Sequence, residues 1–121
     1  MKMTVLGCFG PYSPAFGACS GYLIQEGSYS LLLDCGNGVL SRLQEFIQII
    51  NLNAISVSHL HADHFSDLLI LRYALEKYYS QGLLTQPLPL YAPGAPEEEY
   101  LRLPYKNAYS VREIDADCTL S

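Results

Sequence analysis

Residues 58–65 read Ser58-His59-Leu60-His61-Ala62-Asp63-His64-Phe65, and they contain all three histidines of this 121-residue chain. The segment follows the apolar run 54–57 and precedes a longer periodic run, 68–79. The first run predicts a strand and the second a helix, so we expect the histidines where a strand ends and the chain turns. Imidazole nitrogen and carboxylate oxygen both suit zinc, and they also suit iron or manganese. The segment therefore predicts a divalent metal site.

The spacing of the polar side chains suggests how they would divide between two ions. Extended backbone would point His59 and His61 to one side, because they are two residues apart. Asp63 and His64 follow at a predicted turn, where the chain can present both to a second ion. Two ions about 3.5–4 Å apart can activate a water for displacement at a phosphoryl or acyl centre. The alternative is three ordinary histidines, and it is disfavoured because imidazoles this crowded repel one another once protonated.

Residues 59–64 match the His-x-His-x-Asp-His signature of the metallo-β-lactamase-fold hydrolases, so the sequence resembles that family. The segments 21–25 and 31–38 are similar to the upstream part of the same family, and the resemblance covers nearly the whole chain. It is closest to the branch that includes ribonuclease Z and related phosphodiesterases. The resemblance implies an α/β (α+β type) chain and the metallo-β-lactamase-like four-layer αββα sandwich, of which residues 1–121 form about the N-terminal half.

The resemblance also implies a role for each polar residue of the site. His59 and His61 would bind the first metal, and Asp63 and His64 the second. Asp63 would also act in catalysis, by orienting or deprotonating the attacking water. Asp34 would orient the ligands through hydrogen bonds, although a simple turn or cap residue is the alternative. Two Zn²⁺ ions are expected in the complete site, with Mn²⁺ or iron as alternatives.

The chain departs from the family pattern after residue 64. The family completes its metal shells with a further histidine, a bridging aspartate and a final histidine, whereas this chain has no histidine after His64 and ends at Ser121. We therefore expect a truncated domain that binds metal weakly and turns over little or nothing. The inner face of its sheet would lack its usual cover, which predicts a homodimer through that face.

The function expected from the resemblance is a metal-dependent phosphodiesterase in the full-length form. Its substrate would be a small phosphodiester or an RNA 3′ end. One alternative stays within the fold and is hydrolysis of a thioester, lactone or lactam. Another belongs to a different class and is a non-catalytic metal-binding or assembly module.

Composition limits the partners and the compartment. A net charge of −5 argues against nonspecific binding of nucleic-acid backbones, although bound metals would invert the local field. Hydrophobic residues make up 50% of the chain and charged residues only 16%, which fits a buried sheet or an uncovered face. No run is long enough to span a membrane and no secretory leader is evident. The four cysteines form no Cys-x-x-Cys pair, so we expect a cytoplasmic protein with reduced, mostly buried thiols.

Periodicity and turn residues outline the remaining elements. Strands are predicted at 3–7, 21–25, 28–33, 54–58, 88–92, 110–114 and from Cys118, and helices at 39–49, 66–80 and from Pro96. The continuous apolar run 31–33 predicts a strand covered on both faces. Arg72 and Glu76 are spaced for an ion pair along their helix. The resemblance places the loop 8–17 beside the site, where Tyr12 or Phe16 would touch substrate, but a packed loop without that role is favoured.

Overall fold

A single mixed sheet carries the fold in the computed structural model, which describes residues 1–114. Its six strands lie in chain order, with β1 to β3 antiparallel and β3 to β6 parallel. The strands are β1 Lys2–Gly7, β2 Gly21–Glu26, β3 Tyr29–Leu33, β4 Ala54–Ser56, β5 Leu88–Ala92 and β6 Tyr109–Glu113. The helices are α1 Val39–Leu43, α2 Ala62–Phe65, α3 Leu68–Ser80 and α4 Glu97–Tyr100, with a short 3₁₀ turn at Ile49–Asn51. The strand predicted from Cys118 lies outside the described residues.

One face of the sheet is fully buried. Leu23 pairs with Leu32, Leu32 with Ile55 and Ile55 with Leu90, so these side chains form a row across four strands. None of the four is exposed to solvent. They join one apolar core with the inward residues of the two longer helices, Val39, Leu43, Leu68, Leu71 and Leu75. The helices therefore cover this face, as the helix–strand alternation predicts.

The opposite face, called the open face below, is apolar but uncovered in residues 1–114. Met3 and Val5 of β1 are 61% and 51% exposed, although both are large apolar side chains. Leu31 and Leu33 of β3 point the same way and are only half-buried. The prediction that the run 31–33 is covered on both faces is therefore wrong for the described chain, because packed helices lie against only one side.

The helix predicted at 39–49 is much shorter than its periodicity suggests. Helix α1 ends at Leu43, and the next turns are held by bonds three residues back, such as Phe46 N–H to the Leu43 carbonyl. Gln48 has already returned to extended backbone. Phe46 is 50% exposed, so no burial supports further helical turns.

The predicted ion pair between Arg72 and Glu76 is absent from the described part of the chain. The Arg72 guanidinium instead donates to the Arg102 carbonyl at 2.7 Å. The Glu76 carboxylate accepts the Asn107 backbone N–H at 3.0 Å. Both side chains therefore tie α3 to the segment before β6, because tertiary partners replace the weak pairing along an exposed helix.

The carboxyl ends of the parallel strands converge at one edge of the sheet. Leu33, the last residue of β3, pairs with Ser56, the last residue of β4. The backbone N–H of Asp34 then donates to the Ser56 carbonyl at 2.8 Å, which extends the pairing by one step. Segments 34–38 and 57–65 therefore leave the sheet side by side, where an open α/β sheet places its binding residues. No helix within residues 1–114 is both long and apolar enough to cross a membrane.

Candidate metal centre

The histidine segment rises directly from β4. The Val57 N–H donates to the Tyr91 carbonyl of β5 at 2.8 Å, which fixes the start of the segment on the sheet. His61 is extended, with φ −100° and ψ 148°, and its ring stacks on that of His59 with centroids 5.9 Å apart. This stacking agrees with the expectation that the two side chains point to one side.

Asp63 and His64 lie in the four-residue helix α2, where the sequence predicted only a turn. Phe65 of the same helix is 3% exposed and joins the core, so it anchors this turn against the sheet. The ring centroids of His64 and His59 are 5.1 Å apart. The structure therefore brings all three imidazoles and the Asp63 carboxylate to one place at the sheet edge.

Asp34 lies beneath these residues and is 4% exposed. Its backbone is left-handed, with φ 63°, a conformation that aspartate tolerates better than most residues. The carboxylate accepts the Ser20 hydroxyl at 2.9 Å, the Ser58 backbone N–H at 2.7 Å and the His64 Nδ1–H at 2.8 Å. A carboxylate only accepts, so Nδ1 of His64 carries a proton, and in the neutral imidazole this leaves the lone pair on Nε2.

Ser58 links the Asp34 carboxylate to the His59 ring through two further hydrogen bonds. Its hydroxyl is 2.9 Å from Asp34 Oδ2 and donates its only proton there. The Ser58 oxygen lies 3.1 Å from His59 Nδ1. Because its proton is already donated to Asp34, it accepts a hydrogen bond from the His59 Nδ1–H. His59 therefore also presents an unprotonated Nε2, and one carboxylate sets the tautomer of two imidazoles. The sequence contained no periodic signal for this relay, although Ser58 directly precedes the histidines.

Two glycines allow the chain to close around Asp63. The backbone carbonyl of Asp63 accepts a hydrogen bond from the Ser20 N–H at 3.1 Å. The side-chain Oδ2 of Asp63 lies 3.4 Å from His64 Nε2. A Cβ placed on Gly10 would lie 2.6 Å from the Asp63 carboxylate, and one on Gly36 would overlap its carbonyl. Side chains at either glycine would therefore displace Asp63.

Asp67 has a different task from the one its position predicts. It lies at the N-cap position of α3, but its side chain makes no capping hydrogen bond there. Its Oδ2 instead accepts the backbone N–H groups of Gly38 and Leu40, both at 3.0 Å, at the start of α1. Partial burial raises the pKa of Asp67, while these two hydrogen bonds oppose the rise. Asp67 thus ties the histidine segment to the neighbouring loop.

Two cysteines near the site, Cys19 and Cys35, are buried thiols. Burial, followed by the charge of Asp63, raises the pKa of Cys19, and burial raises the pKa of Cys35 well above its ordinary value. Both thiols stay protonated near neutral pH and behave as small buried residues, as expected. Cys8 is exposed, so that expectation is wrong for it, and Cys118 lies outside the described residues.

The donor set fits a divalent ion, but the described residues do not complete a shell. The unprotonated Nε2 atoms of His59 and His64 and the Asp63 carboxylate are chemically suited to zinc, manganese or iron. Within residues 1–114, however, no three histidine, cysteine, aspartate or glutamate side chains are arranged to hold one ion together.

A small pocket of about 180 Å³ adjoins Asp63 on the side of the loop 8–17. Tyr12, Ser13, Asn37 and Ser66 contribute its polar groups. The Ser66 Oγ atom is buried without a hydrogen-bond partner among the described residues. Of these residues the sequence singled out only Tyr12 for contact with a ligand, because the others carry no distinctive spacing.

The fold and the site together define a metallo-β-lactamase-fold protein. The "Probable metallo-hydrolase YhfI" of Bacillus subtilis (strain 168) is 42% identical over 106 residues, which cover 88% of this chain and 43% of that protein. The crystal structure of YhfI matches with a TM-score of 0.92 and 38% identity over 98% of this chain and 48% of that chain. These matches confirm the predicted fold class.

More distant relatives point to the predicted branch. A ribonuclease Z of Metallosphaera sedula is 35% identical over 65 residues, which cover 53% of this chain and 22% of that protein. Human tRNase Z, short form, matches with a TM-score of 0.72 and 25% identity over 97% of this chain and 48% of that chain. The family model described as "Anti-Pycsar protein Apyc1" matches residues 1–98, and the chain belongs to this family. The chain spans less than half the length of these relatives.

Proposed function

We propose that this chain supplies part of the active site of a metal-dependent phosphodiesterase that cleaves a small phosphodiester or an RNA 3′ end. The observation that carries the proposal is the hydrogen-bond network of Asp34, which turns two imidazoles toward the same space as Asp63. Relatives named as a metallo-hydrolase and as ribonuclease Z support the hydrolase class and the RNA substrate.

Each residue of the site has a distinct part in this proposal. His59 and His61 would hold one ion, and Asp63 and His64 the other. Zn²⁺ is the proposed metal, with Mn²⁺ or iron as alternatives, and when bound it lowers the pKa of water and offsets charge on the phosphoryl oxygens. Asp63 orients the attacking water and accepts its proton. Asp34 is a positioning residue, because it acts on the site through Ser58 and His64.

The isolated chain is proposed to be an incomplete N-terminal half that binds metal weakly and hydrolyses little. The test is a chimera in which this chain replaces the matching half of YhfI, because the two superpose over 98% of this chain. The chain alone should not hydrolyse bis(4-nitrophenyl) phosphate with added Zn²⁺, whereas the chimera should. The chimera with His61→Ala should lose at least about 100-fold in rate, as expected when a metal ligand is removed.

Three outcomes of the chimera experiment would contradict the proposal. Hydrolysis by the isolated chain, lost on His61→Ala, would refute the proposed incompleteness. A folded, zinc-loaded chimera that cleaves a thioester or lactone but no phosphodiester would refute the substrate class. A chimera whose rate survives His61→Ala would refute the assignment of this histidine to a metal.

We also propose that a second copy covers the open face when the chain is alone. This apolar surface belongs to a chain that matches only 48% of YhfI, so further polypeptide is the expected cover. Sedimentation should show a dimer that Val5→Lys weakens at least ten-fold. Ile70→Lys is the matched control, because Ile70 is 55% exposed on the helical side and Val5 is 51% exposed. A compact monomer at high concentration would contradict this proposal.

The proposed compartment is the cytoplasm. Cys8, Cys19 and Cys35 are free thiols, which is usual where glutathione and thioredoxin keep cysteines reduced. Thiol titration of unfolded protein purified without reductant should find all of them reactive. A disulfide between chains through the exposed Cys8 would argue for an oxidising compartment.

A further inference from the structure

A second pocket lies at the amino ends of the parallel strands, at the edge of the sheet opposite the histidine motif. It encloses about 460 Å³, within the roughly 300–1,000 Å³ that is usual for small-molecule sites. Strand β5 begins at this pocket with Leu88 and ends at Ala92, on the edge that carries the motif. Steps of about 3.3 Å per residue separate these two ends by about 13 Å. The pocket is therefore separate from the candidate metal centre.

The floor of this pocket is apolar and belongs to the core. It is formed by four core residues, each at most 7% exposed, namely Ile49, Leu52, Leu75 and Leu88. Side chains packed this closely are fixed in place, and covering the apolar surface that they leave open is favourable. The floor therefore selects a ligand that has an apolar body.

The walls of the pocket are held by the backbone. Pro87 and Pro89 flank the first residue of β5, and each ring fixes its own φ. Between them, the Leu88 N–H donates to the Ala108 carbonyl at 3.0 Å. The pocket is thus formed before any ligand arrives, which lowers the entropic cost of binding.

The rim is polar and carries one positive charge. Arg112 lies on it, and no acidic residue of the described chain lines the pocket, although the net charge of the sequence is −5. The Arg112 guanidinium donates to the Tyr91 hydroxyl at 3.2 Å and lies 5.6 Å from the centroid of that ring. Since a guanidinium has several N–H groups, this contact leaves others to bind a ligand. Asn53 accepts the Ser30 N–H through Oδ1 at 2.7 Å, so its NH₂ group is left as a second donor on the rim. The rim therefore complements a single negative charge.

We propose that this pocket binds a small monocarboxylate with an apolar body, its carboxylate on Arg112 and its body on the apolar floor. A carboxylate matches the planar guanidinium with two parallel hydrogen bonds. A free phosphate has no apolar body to cover the floor, and a neutral apolar molecule offers Arg112 no charge. This site goes beyond the proposed phosphodiesterase, because it needs neither a metal nor any residue of the histidine motif.

The test uses probes that carry the apolar body, the charge or both. Octanoate, octanol, acetate and inorganic phosphate are titrated into the metal-free ¹⁵N-labelled chain, and backbone amide shifts are followed by NMR. Octanoate should bind saturably, shift the amides of residues 53, 85, 86, 110 and 112, and bind at least about ten-fold more tightly than each other probe. No binding of octanoate, equal binding of another probe, or shifts centred on the open face would overturn the proposal.

A matched pair of variants tests the role of the positive charge. Arg112→Gln should weaken octanoate binding at least about five-fold and leave octanol binding unchanged. Lys77→Gln removes the same charge and should change neither, because Lys77 is exposed on α3 and does not line the pocket. Both altered side chains are exposed, so the melting temperatures should stay close to that of the wild type. Equal effects of the two variants on octanoate would overturn the assignment of the carboxylate to Arg112.

The YhfI chimera extends the test to the complete fold. Octanoate should bind the chimera with about the affinity that it has for the isolated chain, because the pocket is formed by residues of this chain. Loss of binding in the chimera would mean that the pocket is an internal surface covered by further polypeptide, which would overturn the proposal. Hydrolysis by the chimera is measured separately, so failure of the proposed function and failure of this site are distinguishable.

Discussion

His64 and His61 belong to one short motif, yet the fold treats them differently. His64 is partly buried, and its Nδ1 is held 2.8 Å from the Asp34 carboxylate. His61 is exposed and stacks on His59, and no hydrogen bond holds its ring within residues 1–114. The chain therefore fixes His64 directly and His59 through Ser58, and it leaves the His61 ring between them without such a tie.

Among the variants that test this difference between His64 and His61, Asp34→Ala should have the largest effect. It leaves the Ser58 N–H, the Ser20 hydroxyl and the His64 Nδ1–H without their acceptor, at about 1–3 kcal/mol each. We expect the free energy of unfolding, measured in urea, to fall by about 3 kcal/mol or more. Asp34→Asn is the control, because asparagine also tolerates left-handed backbone and keeps one acceptor, so it should lose less. A loss below 1 kcal/mol for alanine would show that the network does not order the site.

A smaller effect is expected from replacing Asp67, which follows the histidine motif and hydrogen-bonds to the start of α1. Asp67→Ala removes the acceptor of two N–H groups at the start of α1 and should cost about 1–2 kcal/mol, as for a lost helix cap. Asp67→Asn keeps an acceptor oxygen and should cost less at neutral pH. If asparagine is as harmful as alanine, the hydrogen bonds are not what Asp67 contributes.

The pH dependence of Asp67 tests the same tie. Burial raises its pKa above the ordinary 3.8, so the folded state binds the proton more tightly than the unfolded state. Its contribution is therefore complete below pH 3.8 and declines as the pH rises through the folded pKa. Relative to the wild type, Asp67→Asn should gain stability as the pH rises from about 4 to 7 in urea titrations. A constant difference across this range would contradict the raised pKa.

Ser58→Ala sharpens the contrast by cutting only the link to His59. We expect a loss of about 1 kcal/mol in stability, since the hydroxyl's hydrogen bonds to Asp34 and His59 disappear. Zinc affinity, measured by calorimetry on the chimera, should fall 10–100-fold because His59 loses its fixed tautomer. Ser58→Thr keeps the hydroxyl and should restore the affinity. Unchanged affinity in the alanine variant would remove Ser58 from the relay.

The smallest expected effect is that of His61→Ala on stability, below about 0.5 kcal/mol, because the side chain is exposed. His64→Ala is its matched partner and should cost about 1–3 kcal/mol, since it leaves a buried carboxylate without one donor. Urea unfolding of the two metal-free variants measures the difference directly. Equal losses would mean that the fold does not distinguish the two histidines.

Much of the fold was predictable because its signals are local. Alternation and apolar runs located all six described strands to within one or two residues, and the stripe of Leu68, Leu71 and Leu75 indicated the longest helix. The predictions that were wrong concern segments whose structure depends on what packs against them. Helix α1 stops early because Phe46 stays exposed, and the run 31–33 is half-open because no helix covers its second side.

The candidate site likewise has a part that the local sequence predicted and a part that it did not. Residues 59–64 indicated a metal by donor type and spacing alone, and their assignment to ions stays a prediction. The resemblance suggested a supporting Asp34, but its partners Ser20, Ser58 and His64 lie 14 to 30 residues away in sequence. No local pattern reports such contacts.

The amino-acid sequence by itself determined the type of donors, the positions of the strands along the chain and the family, because these depend on residue identity and short-range periodicity. Only the tertiary structure decided which nitrogen His59 and His64 present, that Asp67 accepts hydrogen bonds at the start of α1, and that the Ser66 hydroxyl is buried without a partner among residues 1–114. The physical reason is that a hydrogen bond depends on where two chain segments meet. Segments far apart in sequence meet only after the sheet has brought its strand ends together.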